Sequence, residues 1–163
     1  MTDATELRTP APGVTLRAAT PADAAGIRAL DGPGTSTVNL LDADLAASDR
    51  VVLVATRDGV VVGVALGMVA VDEGHVLDIA VGADARGAGI GGLLLDALLD
   101  ALGGRGATAA TLEVRPGNES ARRLYAGHGF VAAGERPDYY PPRKPGGARE
   151  PALIMWHHDL GAA

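Results

Sequence analysis

The sequence predicts an α/β fold built on a mixed, mainly antiparallel sheet flanked by helices, and three observations lead there. Two β-rich segments, residues 51–55 and 60–71, flank Arg57-Asp58-Gly59, and Asp-Gly between such segments is a strong hairpin signal. From His75 to Leu102 the chain reads as a buried strand, a glycine-dense loop and an amphipathic helix. Residues 108–114 then return as a strand, most simply parallel to residues 75–81 through a right-handed crossover.

Each element carries its own signature. Residues 1–13 are polar and contain proline, so a disordered tail is expected ahead of a single domain over 14–163. A short strand at 14–18 leads to Thr20 as N-cap, Pro21 at the first helical position and Asp23 as capping partner, for a helix to about Leu30. Asp31-Gly32-Pro33-Gly34-Thr35 breaks that helix, and residues 40–47 offer a second short one. After the hairpin, Asp72-Glu73-Gly74 turns the chain into the strand that begins at His75, with Val76, Ile79 and Val81 as its apolar set. In the central helix Ile90, Leu94, Ala97, Leu98 and Ala101 recur at helical spacing, with Asp96 and Asp100 off that face. Gly103-Gly104-Arg105-Gly106 ends it. Arg115-Pro116-Gly117 closes the return strand, and Asn118 stands at the N-cap of a helix from Glu119 to about Ala126. Residues 130–133 and 152–160 are expected to pair as a last hairpin. Between them residues 139–150, rich in Pro, Gly and charge, read as a long loop.

Composition narrows the class. With 163 residues, 47% of them hydrophobic, and no apolar run of membrane-spanning length, the chain suits one soluble domain with a substantial core. A net charge of −6 argues against general nucleic-acid binding and is compatible with a basic or aminated substrate. The absence of cysteine excludes disulfides and cysteine catalysis, and with no secretory signal a cytoplasmic location is expected. His157 and His158 have no partner motif, and nothing in the sequence resembles a metal site.

The glycine loop is the chemical signal. A helix start leaves backbone N–H groups without intrahelical partners, and glycines there let an anion approach without meeting a Cβ. Gly87, Gly89, Gly91 and Gly92 supply that pattern. A Walker loop would need a Gly-Lys-Ser/Thr ending, which is absent. Gly87-Ala88-Gly89-Ile90-Gly91-Gly92 does satisfy the dinucleotide fingerprint, with Glu113 downstream, but the dinucleotide turn opens directly off its strand. Here Gly82-Ala83-Asp84-Ala85-Arg86 intervenes, and an antiparallel meander precedes the loop.

Arg86-Gly87-Ala88-Gly89-Ile90-Gly91 after LDIAV resembles motif A of the GNAT N-acetyltransferases, the Q/R-x-x-G-x-G/A loop that holds the pyrophosphate of acetyl-CoA. The likeness continues through LEVRPGNESARRLYAGHGF, into Arg136-Pro137-Asp138-Tyr139-Tyr140 and into Ala152-Leu153-Ile154-Met155. This second half is similar to the RimI-type branch, which acetylates the N-terminal amine of a ribosomal protein. The resemblance implies the GNAT (acyl-CoA N-acyltransferase) fold, acetyl-CoA as co-substrate, and a protein or peptide N-terminus or a small amine as acceptor. No direct nucleic-acid or membrane partner is expected, and a monomer or homodimer is expected.

The resemblance also assigns roles. Ile79, Ala80 and Val81 would pair with the pantetheine arm, Arg86, Gly87, Ala88, Gly89, Ile90, Gly91 and Gly92 would hold the pyrophosphate, and Asn118 would contact the arm while capping its helix. Glu113 would be the general base and Tyr125 the general acid toward the sulfur. Glu113 also fits a strand carboxylate paired with Arg115 or another cation, and Tyr125 a half-buried helix residue. Asp78 and Glu73 are alternative bases, although Glu73 also fits a solvated turn, Asp78 an outward-facing or turn-capping carboxylate, and a single His75 at a strand start a structural role. At pH 7 an α-amine of pKa about 8 is roughly one-tenth neutral, whereas a lysine near 10.4 is neutral in about one molecule in two thousand. An α-amine therefore demands less of its base.

Overall fold

The computed structural model describes residues 12–30 and 41–160. The expected tail, apart from its last two residues, and the break at 31–35 lie outside the described residues. Among the described residues seven strands form one sheet: β1 Val14–Ala18, β2 Arg50–Arg57, β3 Val60–Ala70, β4 Glu73–Val81, β5 Ala109–Val114, β6 Val131–Tyr140 and β7 Glu150–His157. Four helices accompany them: α1 Ala24–Ala29, α2 Leu41–Ala46, α3 Ile90–Gly104 and α4 Glu119–Gly127. The strand order is β1-β2-β3-β4-β5-β7-β6, antiparallel throughout except for the β4/β5 pair.

The two sides of a strand explain the core. In β2 Val51, Leu53 and Ala55 face α3, while Val52 and Val54 join α1, through Ile27, on the opposite side. A strand covered on both faces reads as a continuous apolar run, as this one does. Helix α3 packs so closely on β3 that a Cβ on Gly63 would lie 2.8 Å from Leu94 Cδ1, and one on Gly67 would lie 2.9 Å from Leu98 Cδ1. Burial extends beyond the predicted stripe to Leu95, Leu99 and Leu102. Each fully buried leucine contributes about 1.5–3 kcal/mol.

The turn chemistry holds at Asp58 and Gly59, whose φ values of 51° and 77° fit the two-residue hairpin. The next turn is displaced. Val71, with φ 59°, and Asp72 reverse the chain, so Glu73 and Gly74 belong to β4, where they pair with Ala70 and Val69. At the first helix, the Thr20 N–H donates to the Asp23 carboxylate at 2.8 Å, and Arg17 grips the same carboxylate at 2.7 and 2.8 Å.

The last hairpin is longer than its sequence pattern. Tyr139 and Tyr140 lie in β6 and Glu150 opens β7, leaving only residues 141–149 as the connection. The reason is position: β6 is an edge strand exposed over almost all of its length, so no apolar alternation was required of it. Pro137 sits inside the irregular stretch between Arg136 and Tyr140, where an edge strand tolerates a missing donor.

Candidate active site

The gap in the sheet starts with the only parallel pair among the described strands. β4 and β5 are in register over Glu73, Gly74 and His75 against Ala109, Ala110 and Thr111, and then separate. A bulge helps them part: Leu66 opposes Asp78 and Gly67 opposes Val76, so Leu77 is the extra residue in β4. Two cavities of about 400 and 450 Å³ occupy the gap. They share Asp78, Ile79, Asn118, Ala121 and Tyr125.

The cavity toward α3 is lined further by Ala80, Val81, Arg86, Gly91, Ser120 and Leu124. It therefore gathers six of the residues expected at a cofactor: Ile79, Ala80, Val81, Arg86, Gly91 and Asn118. Arg86 Nε donates to the Val81 carbonyl at 3.1 Å, which ties the loop to the end of β4. Gly87 and Gly89 adopt φ values of 84° and 78°, and a Cβ at either would stand in open space. An anion would thus find small residues and the first N–H groups of α3 together, which suits a pyrophosphate.

Of the predicted loop residues only Arg86 and Gly91 line the cleft, and Gly87, Ala88 and Gly89 do not. The Ile90 side chain is buried in the core beside Gly63, so only its backbone belongs to the loop. A Cβ on Gly92 would lie 3.0 Å from His128 Nε2, so this glycine accommodates the end of α4. Asn118 caps α4 by accepting the Ala121 N–H at 3.2 Å, and it lines both cavities as well.

The second cavity is lined by side chains from three strands and α4. His75, Leu77 and Asp78 come from β4, Thr111 and Glu113 from β5, and Tyr139 and Tyr140 from β6. The chain has three tyrosines, and all of them line this cavity. Tyr125 is 8% exposed and packs edge-on against Phe130 at 5.8 Å. Burial, reinforced by the negative charge of Asp78, pushes its phenol up to about 12. Tyr140 is also pushed up to about 12, by burial first and then by Tyr139 and Glu113. The Tyr139 phenol is raised chiefly by its hydrogen bond to Glu113.

Glu113 is paired, although not with its sequence neighbour. Its Oε1 lies 3.2 Å from Arg136 Nη2, whereas Arg115 donates to Glu150 at 3.0 Å and stacks over Tyr140 at 4.5 Å. Glu73 pairs with His75 at 3.0 Å and is absent from both cavity linings. Among the described residues no group of three His, Cys, Asp or Glu side chains is arranged to hold a metal.

A family model described as the acetyltransferase (GNAT) family matches residues 26–130. The chain belongs to the GNAT acetyltransferase family. Over 100 residues it is 39% identical to the [ribosomal protein bS18]-alanine N-acetyltransferase of Escherichia coli strain K12, across 61% of this chain and 66% of that enzyme. The matched stretch thus spans just under two thirds of that relative. The crystal structure of the Escherichia coli ribosomal-protein-S18-alanine N-acetyltransferase superposes with a TM-score of 0.79 at 28% identity, covering 92% of this chain and 96% of that one. A crystal structure of nourseothricin acetyltransferase superposes with a TM-score of 0.71 at 26% identity, covering 88% and 97%. GNAT enzymes named for different acceptors thus share this architecture.

Arg136, Tyr139 and Tyr140 belong to the stretch that carries the family likeness, and the sequence assigns them no role. Their signal was rarity: two adjacent tyrosines in a chain with three are unusual in a stretch otherwise read as a polar loop.

Proposed function

We propose that this protein transfers the acetyl group of acetyl-CoA to the α-amine of a protein N-terminus within a ternary complex in the cytoplasm. An alanine at the start of a ribosomal protein is the acceptor that its likeness to the Escherichia coli enzyme favours first. One observation carries the reading: Tyr125 lines both cavities, so a donor bound in one and an acceptor bound in the other would meet beside the same phenol.

In this scheme Ile79, Ala80 and Val81 bind the pantetheine arm, the 86–92 loop takes the pyrophosphate on its backbone, and Asn118 lies along the arm. Glu113 draws a proton from the amine, directly or through water, and the nitrogen attacks the thioester carbonyl. The departing thiolate takes its proton from Tyr125. A phenol held near 12 stays protonated throughout the neutral range. A thiolate formed in the same buried spot is desolvated too, which raises its proton affinity toward that of the phenol.

A second reading keeps the chemistry and changes the acceptor to a small amine or a lysine, and the likeness to nourseothricin acetyltransferase favours it. Mass spectrometry of a peptide panel incubated with acetyl-CoA, presenting free α-amines and lysines separately, tests the two. Acetyl gain on α-amines with a preference for the first residue is expected. Acetylation confined to lysines or small amines would replace the first reading by the second.

A further inference from the structure

Glu113 is asked to accept a proton from a cationic amine, yet its carboxylate already holds a cation. Arg136 Nη2 lies 3.2 Å from Oε1, and its guanidinium sits 5.2 Å from the centre of the Tyr139 ring, whose hydroxyl hydrogen-bonds the same carboxylate. The other charged groups around the cavity are engaged elsewhere or lie on the opposite strand. Arg115 is taken by Glu150, and Asp78 projects from β4 beside Tyr125 and Tyr140. Arg136 is mounted so that it can give way. Its side chain is 55% exposed on an edge strand, in the irregular stretch between Arg136 and Tyr140.

Resting on the acetyl-transfer reading, we propose that Arg136 is a positioning residue that competes with the acceptor's ammonium group for the Glu113 carboxylate and thereby favours the neutral amine. Of two cations sharing one carboxylate, only the amine can lose a proton, because a guanidinium does not do so in proteins. The N–H bond of the ammonium breaks, its electron pair stays on nitrogen for attack, and the proton passes by way of a Glu113 oxygen to water, because the pairing with Arg136 keeps that carboxylate charged. Arg136 weakens the ground-state hold on the ammonium and leaves the attack-competent amine unopposed.

The test is steady-state kinetics of Arg136→Gln and Arg136→Lys on a peptide with a free α-amine, with the KM for acetyl-CoA as the control for an intact fold. Arg136→Gln is expected to lower both the peptide KM and kcat, each by roughly two- to fivefold, because ground-state discrimination is lost. Arg136→Lys restores a cation and is expected to return both parameters toward wild type. A merely structural role for Arg136 in β6 would raise the peptide KM and would not be rescued by lysine. That result, or unchanged parameters in Arg136→Gln, overturns this role while leaving acetyl transfer standing. Failure of the wild-type enzyme to acetylate any α-amine overturns the acetyl-transfer reading itself, and this inference with it.

Discussion

The two cavities of the cleft are built in opposite ways. The one toward α3 offers the end of β4, Arg86 and Gly91 at the start of α3, and the first turns of α4. Half of its lining lies in one continuous segment, residues 78–91. The other adds side chains to the Asp78 and Tyr125 that both share, with Glu113, Tyr139 and Tyr140 drawn from two further strands. A diffuse multiple anion is held well by many fixed backbone dipoles, whereas proton transfer requires particular groups at particular points. Each cavity is therefore expected to fail in its own kinetic parameter.

The sharpest separation should come from Glu113→Gln, which keeps shape and removes the proton acceptor. Its kcat is expected to fall by about 100-fold or more, while the Kd for acetyl-CoA measured by calorimetry stays put. Tyr125→Phe is expected to behave in the same way with a smaller drop. Unchanged turnover in both would dissolve the contrast between the cavities.

Gly89→Ala probes the other side. With φ 78° and open space around a new Cβ, the cost is backbone strain and no clash, about 1 kcal/mol. Acetyl-CoA is expected to bind roughly fivefold more weakly, with kcat at saturating cofactor close to wild type. A fall in kcat alone would show that the loop also shapes the reacting centre.

Tyr139→Phe removes one hydrogen bond to Glu113 and keeps the ring under Arg136. A change of roughly threefold in acceptor KM, and none in acetyl-CoA KM, is the expected result.

The gentlest test alters only pH. All three phenols are raised above their ordinary value of 10, Tyr125 and Tyr140 to about 12. Phenolate absorbance of the native protein should therefore rise later than that of the denatured chain. Between these values the unfolded chain has released protons that the folded one still holds, so stability falls as pH rises from about 10 to about 12. Chemical denaturation across that window checks the sign, and a flat profile would place the tyrosines in water.

Local signals were the readable ones. The Asp58-Gly59 turn, the Asn118 cap and the loop before α3 each depend on residues a few positions apart, so their residues declare them. The turn after β3 lies a residue or two before Asp72-Glu73-Gly74, because Val71 adopts a left-handed φ that its type does not advertise. The extent of β6 was hidden for a different reason: an exposed edge strand needs no apolar pattern.

By itself the sequence determined the alternation of elements, the glycine loop at the helix start and the candidacy of Glu113 and Tyr125. These follow from periodicity, from conformations that glycine favours and from the kinship of a motif. Only the tertiary structure decided that β7 slots between β5 and β6, and that Tyr139 and Tyr140 at the end of β6 nevertheless reach the cleft. Only there does Glu113 find Arg136, 23 positions away, while Arg115, two positions away, turns to Glu150. Which residues face one another across β7 is chosen by the register of the strands paired on either side of it.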